Sequence, residues 1–461
     1  MREGIRSIPT KKWHIMKIRK VHLQNFRCYE SKDFQFNENL TVVVGSNTSG
    51  KTSLLRAIRI GLGGYLSSLP TLDSGSYFRC NFTKEDRRQW FNERNHDYEE
   101  SEIQPCIKVE GLFPFPTDRG DGLLYEERPI KWYREMTKAN NTVHNRKCAG
   151  ELIDAAGELV RRRRDTTQGA VFPLILSFSA DRMNAQGRQS GKVKERLKRI
   201  DKAYRSALRN DIDFNSAIDW LKQYDKNMED RMVFAGNKEA FFEAISKAIP
   251  MLSQVTLHSG QIEAVVEING VRERHHYNYM SDGFKSVICL VSEIAYRAIM
   301  LNGFLGAEAV YQTPGIVLID ELDLFLHPLW QRRILGDLQS AFPNIQFIAT
   351  THSPFIIQSV SKEQLLVLDD VEVSDEEPNM KSIEDIAEEE MNMGAQIRSK
   401  EYMEMLNAAQ EFFEVVTHAK DKTPQEVEEL RLRLAHLQAR VGNDPVYRAL
   451  MEEKMDAHGL L

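Results

Sequence analysis

Two stretches carry residue types at spacings that fit phosphate chemistry. The first is Gly45-Ser46-Asn47-Thr48-Ser49-Gly50-Lys51-Thr52, a G-x-x-x-x-G-K-T phosphate loop, with Ser53 directly after it. Glycines at both ends let backbone N–H groups curl around an anion without Cβ clashes, and a following helix aims its positive end at the same place. In such a loop Lys51 would reach the β- and γ-phosphates, and the Thr52 hydroxyl would hold Mg²⁺. The second stretch is Asp320-Glu321, preceded by the apolar run 316–319. An acid ending a buried strand can hold Mg²⁺, often through water, and the next acid can orient an attacking water as general base. Each pattern also has an ordinary reading, a glycine turn in one case and a strand ending at the surface in the other. Together, with His352 ending another strand downstream, they specify a nucleotide site with Mg²⁺.

The elements that must position these residues follow from periodicity. Residues 40–44 are a short apolar, β-branched run ending at Gly45. Beyond Thr52 the spacing turns helical through Leu54, Leu55, Ile58 and Ile60. Residues 16–23 alternate like an edge or half-buried strand, and 105–113 and 129–135 read as antiparallel strands. Residues 62–104, rich in Gly, Ser, Asn and charge, read as loops around short helices. The apolar runs at 171–178, before Asp320 and before Thr351 read as buried strands. Two short strands over 253–279 would turn near Asn269-Gly270. A long apolar helix follows, and 364–370 holds a last short strand. Strands alternating with helices over 281–369 predict a mainly parallel sheet, with Asp320 at a strand end beside the phosphate loop.

With 461 residues, 42% hydrophobic, 28% charged and a net charge of −6, the composition is that of an ordinary soluble protein of two or three domains. Five scattered cysteines, without a C-x-x-C pair, predict reduced thiols in a cytoplasmic protein. No apolar run approaches the length of a membrane span, and the basic first fifteen residues lack the apolar centre of a signal peptide. Residues 182–209 hold ten Lys and Arg against two Asp and Glu, which suits a solvated helix face or a surface for double-stranded DNA equally well. Arg161 to Arg164 form a second basic cluster, read as a loop tip. His275 and His276 read as surface positions, since no metal-ligand spacing surrounds them. Residues 369–404 carry thirteen acids against three bases and read as a linker. Amphipathic helices at 401–418 and 424–440 would complete the core or dock a partner.

The set resembles the ATP-binding-cassette heads of the SMC, RecF and overcoming-lysogenisation-defect ATPases. NFRCY at 25–29 resembles their N-terminal lobe motif, which flanks the adenine and implies a role for Arg27. MSDGFKS at 280–286 resembles the signature L-S-x-G-x-K-[ST], with Met280 for Leu. IDELDLFLHP resembles the extended Walker B, with His327 at the usual D-loop acid, and THSP resembles the switch histidine, His352. The Gln of the family's Q-loop has no counterpart in SADRM at 179–183. The resemblance implies an α/β ATPase head, a mixed sheet with a phosphate-loop core plus an antiparallel lobe. Residues 16–180 and 251–369 would form the head, 181–250 a helical insertion and 370–461 a helical partner-binding tail. It also implies ATP sandwiched between two protomers. Lys51, Thr52, Asp320 and Glu321 would act from one side, and Ser281 and Gly283 would touch the γ-phosphate from the other. By themselves Ser281-Asp282 would also serve as a plain helix N-cap.

The insertion of about seventy residues is far shorter than an SMC arm. The tail of about ninety residues leaves the C-terminal Toprim nuclease domain of the lysogenisation-defect branch unaccounted for. A head of this size resembles most the PtuA family of Septu-type and retron-associated anti-phage systems. That implies an HNH-type nuclease partner (PtuB-like), a link to a retron reverse transcriptase–msDNA complex, and no intrinsic nuclease. A RecF-like DNA-binding repair ATPase and a non-hydrolysing ATP-dependent scaffold are the competing expectations.

Overall fold

The computed structural model describes residues 16–391, apart from 71, 73–78, 118–123, 165–169, 183–197, 210–213, 228–233, 269 and 370–374, with isolated positions from 400 onwards. Most of the basic segment 182–209 and of the C-terminal amphipathic helices therefore lies outside the described residues, as do residues 1–15. Met1–Ile386 form one compact unit and Ala387–Leu461 another.

The N-terminal lobe is an antiparallel sheet. Its strands are β1 (Lys17–Phe26), β2 (Tyr29–Gln35), β6 (Cys106–Thr117), β7 (Leu124–Met136) and β8 (Thr142–Val143), in the order β2-β1-β6-β7-β8. The first strand is thus interior, paired on both sides, and not at an edge. The core sheet is parallel throughout. It consists of β3 (Leu40–Val44), β9 (Leu174–Phe178), β13 (Gly315–Ile319), β14 (Ile345–Thr350) and β15 (Leu365–Val367), in the order β15-β3-β14-β13-β9. Every residue of the first four is buried, which is why their sequences run apolar without alternation. Gln346, polar and fully buried, stitches the two sheets together. Its Oε1 accepts from Ile18 N at 2.8 Å, and its Nε2 donates to Ile18 O and Asn37 O, each at 2.8 Å.

Helix α1 (Lys51–Ser68) includes seven residues, 62–68, of the stretch where composition predicts loops. Gly61, Gly63 and Gly64 depress helix propensity, but here they let the lobe sheet close on the helix. A Cβ on Gly61 would meet Val109 Cγ2 at 2.8 Å, and one on Gly63 would meet Cys80 O at 2.7 Å. Trp132 Nε1 donates to Gly61 O at 2.9 Å, and buried Arg134 donates to Ile60 O at 3.1 Å. The rest of 62–104 includes a hairpin, β4 (Gln89–Asn92) and β5 (Asp97–Glu100), rather than loops alone. Helix α2 (Arg146–Arg164) ends in the basic cluster, so Arg161 to Arg164 lie on a helix and not at a loop tip. Arg162 bonds Glu158, and the Arg163 guanidinium lies over the Phe172 ring.

Helices α3 (Arg199–Tyr204), α4 (Phe214–Lys226) and α5 (Asn237–Ala248) fill the described part of 181–250. They lead into β10 (Leu252–His258), β11 (Gln261–Ile268) and β12 (Val271–His276), three strands where two were expected. The extra turn falls at Ser259-Gly260, where both residues have positive φ. Helix α6 (Asp282–Asn302) is buried almost continuously from Phe284 to its end, against α3, α5 and β9. With the turns after it, this stretch is long and apolar enough to cross a membrane, contrary to the sequence reading. Yet it is nearly all buried inside the protein, as a core helix is. Asn302 ends it by bonding both the N–H and the C=O of Phe172, at 2.8 and 2.9 Å.

Candidate nucleotide site

The phosphate loop leaves β3 at Gly45 (φ 152°) and enters α1 at Gly50 (φ 96°), both in backbone regions that favour glycine. A Cβ on Gly50 would strike the Tyr29 hydroxyl and lie 2.7 Å from Cys28 Sγ. Tyr29 explains the crowding: its hydroxyl reaches Ser49 O at 3.2 Å and Gly50 O at 3.1 Å, and burial pushes its pKa well above the ordinary value. Lys51 is buried, with Nζ donating to Gly45 O at 2.7 Å and Ser46 O at 2.8 Å. Burial lowers its pKa, opposed by the carboxylates of Asp369, Asp320 and Glu321. Ser46, Asn47, Thr48 and Thr52 are exposed, and Ser53 is half-buried. Ser46 gives its N–H and its hydroxyl to the Asp369 carboxylate, at 2.7 and 3.0 Å. In the sequence Asp369 reads as part of the last short strand and as the first acid of the acidic stretch, with no sign of this contact. Arg27, in the turn between β1 and β2, pairs with buried Asp86 at 2.9 Å, which also receives Arg56 at 3.0 Å.

Asp320 directly follows the end of β13, but β14 stands between that strand and β3, so it is not beside the loop's own strand. The intervening strand contributes the link. Thr350 Oγ1 donates to Asp320 Oδ1 at 2.6 Å and accepts from Glu321 N at 2.8 Å. Thr351 Oγ1 and His352 N both donate to Asp323 Oδ1, at 2.5 and 3.2 Å. Parallel pairing puts the phosphate loop, Asp320-Glu321 and His352 at the same, C-terminal edge of three adjacent strands. Glu321 itself sits at φ 49°.

Asp320 Oδ2 accepts no hydrogen bond among the described residues. With the Thr52 hydroxyl it offers the hard oxygen donors that Mg²⁺ prefers when phosphates and waters complete its shell. Among the described residues no cluster of three or more His, Cys, Asp or Glu could hold a metal by itself. His275 and His276 instead lie beside Glu273 and Glu263.

Ser281 is exposed and opens α6, but its side chain caps no N–H. Gly283 packs against the loop after Asp320: a Cβ there would lie 2.9 Å from Phe325 O. His327 Nδ1 accepts from Leu329 N at 3.3 Å and caps the turn Pro328–Gln331. Behind both segments lies Arg182, which no motif singled out. Only 2% exposed, it donates to Ser286 Oγ on α6 and to the carbonyls of Asp320, Glu321, Leu322 and Leu324. The one signal in the sequence is an arginine four residues past a buried strand, in the SADRM segment that stands at the place of the family's Q-loop.

The strand order, the loop, the acids just past β13 and the helix opened by Ser281 define an ATPase head of the ATP-binding-cassette type. A family model described as "AAA domain" matches residues 20–252, more than half of the chain, and the chain belongs to that family. A second model, "AAA domain, putative AbiEii toxin, Type IV TA system", matches residues 174–358. "Retron Vc95 probable ATPase" of Vibrio cholerae serotype O1 biovar El Tor is 26% identical, over 77% of this chain and 74% of that one. "Septu protein PtuA" of Bacillus mycoides (strain KBAB4) is 25% identical, over 76% of this chain and 40% of its own length. The SMC head solved with the C-winged helix domain of ScpA has a TM-score of 0.40 at 17% identity, covering 75% of this chain and 92% of that one. The expected resemblance to PtuA and retron ATPases agrees with the two relatives.

Proposed function

We propose that the chain binds ATP with Mg²⁺, hydrolyses it slowly as a head-to-head pair, and thereby controls a separate HNH-type nuclease in cytoplasmic anti-phage defence. The observation that carries this reading is the alignment of Lys51, Asp320-Glu321 and His352 at one edge of three neighbouring parallel strands, with Thr350 bonded to both acids. Residues 45–53 cradle the phosphates with backbone N–H groups, and Lys51 neutralises their charge. Thr52 and Asp320 would hold Mg²⁺, which would supply further neutralisation of the phosphate charge. Glu321 orients and deprotonates the attacking water, and His352 contacts the γ-phosphate. Arg27 flanks the adenine. Exposed Ser281 and Gly283 complete the second protomer's site, their helix N-terminus favouring negative charge.

The defence role is supported by the names of the retron and Septu relatives. The nuclease partner is carried over from the family resemblance, as is a link to a retron reverse transcriptase–msDNA complex. The test is to purify the chain alone and together with the product of the adjacent gene. ATP hydrolysis without DNA cleavage is expected from the lone chain, and ATP-dependent cleavage from the pair. DNA cleavage by the lone chain would end the proposed division of labour.

A further inference from the structure

We infer that Arg182 is a positioning residue that ties the signature helix to the backbone of Glu321, so that engagement of Ser281 and Gly283 sets the geometry of the base. This rests on the ATPase reading above and deepens it. The contacts place Arg182 at the junction. Its Nε reaches Ser286 Oγ at 3.2 Å, and Ser286 lies three residues beyond Gly283, on the same face of α6. Its Nη1 reaches Asp320 O at 2.9 Å, and its Nη2 reaches Glu321 O at 3.1 Å and the Leu322 and Leu324 carbonyls at 3.4 Å.

Three features make this more than a buried anchor. First, the guanidinium is buried, yet among the described residues it bonds only neutral oxygens, four of them carbonyls of the loop 320–324. A planar fork can bind several acceptors at fixed angles, whereas an ammonium cannot. Second, the loop it grips is strained. Glu321 (φ 49°) and Phe325 (φ 67°) both occupy the left-handed region, which side chains of this size adopt only when their surroundings impose it. The N–H of Glu321 is fixed by Thr350 and its C=O by Arg182, so the two bonds bracket the residue. Third, the same loop touches the signature directly, where Phe325 O leaves no room for a side chain on Gly283. A shift of α6 therefore reaches Glu321 by two routes, and the arginine is the one that ends on the catalytic residue itself.

The test compares Arg182→Lys, Ser286→Ala and the double variant with wild type and Glu321→Gln. Fluorescent-ATP affinity, melting temperature and steady-state phosphate release are measured for each. Affinity for ATP should stay within about twofold, because the phosphate loop is untouched, while kcat falls at least about tenfold in each single variant. The double variant should be no slower than Arg182→Lys, because both changes cut one link. Additive losses, or kcat and ATP affinity falling together with the melting temperature, would reduce Arg182 to a structural anchor. If Arg182→Lys does not fold, Ser286→Ala decides, and a wild-type kcat in that variant overturns the coupling. Wild type no faster than Glu321→Gln would overturn the ATPase reading and the coupling together. A fast wild type with equally fast Arg182→Lys would overturn the coupling alone.

Discussion

In the proposed site Glu321 would serve the chemistry and Lys51 the binding. The Glu321 carboxylate follows an acid whose own oxygen is engaged by Thr350, so Asp320 is suited to the metal and Glu321 to the water. Glu321→Gln keeps the shape and removes the base. Phosphate release should fall about 10²–10⁴-fold while fluorescent-nucleotide affinity is retained. Equal slow rates in wild type and variant would show that Glu321 is no base and that the chain is a scaffold. Lys51→Ala should do the opposite, removing binding itself. At ATP concentrations of about 100 Kd the wild type gains roughly 2.7 kcal/mol of stability, seen as a rise in melting temperature that the variant should lack.

Helix α1 shows how an element can override its own propensities to place a loop. Three glycines in its second half cost roughly 1 kcal/mol each relative to alanine in an exposed helix. Here they let β6 and β7 approach, so that Trp132 and Arg134 bond the carbonyls of Gly61 and Ile60. Gly63→Ala, which would stabilise an isolated helix, should therefore destabilise this protein by about 1–3 kcal/mol, because the new Cβ would meet Cys80 O at 2.7 Å. Denaturant unfolding measures the difference, and an unchanged or raised midpoint would mean the lobe can give way. The same helix marks the limit of what the sequence disclosed. Continuous apolar runs revealed the buried parallel strands, and glycine and lysine spacing revealed the loop, because both signals are local. The reach of α1 past Gly61, the interior place of β1 and the strand between Asp320 and the loop depend on partners far along the chain. Arg182 and Thr350 stayed hidden for the same reason, since their roles come from carbonyls and carboxylates that folding brings to them.

Two complete sites would require two copies of the molecule, each lending its signature to the other, and this can be tested without a structure of the pair. Lys51→Ala removes the phosphate contact from a head but leaves its Ser281 and Gly283 intact. Ser281→Arg places a bulky cation at the exposed start of α6 but leaves that head's own loop intact. Each variant alone should be inactive, since every site in either homodimer has one defective half. In a mixed pair, one site collects both defects and the other collects none. Mixing the two inactive proteins should therefore restore ATP hydrolysis to about a quarter of the wild-type rate, because half of random pairs are mixed and each has one intact site of two. Phosphate release measured across mixing ratios should peak near equimolar. If mixing restores nothing while each variant remains folded, the sites are not shared between copies. If Ser281→Arg alone hydrolyses ATP at the wild-type rate, one head suffices and the paired mechanism fails.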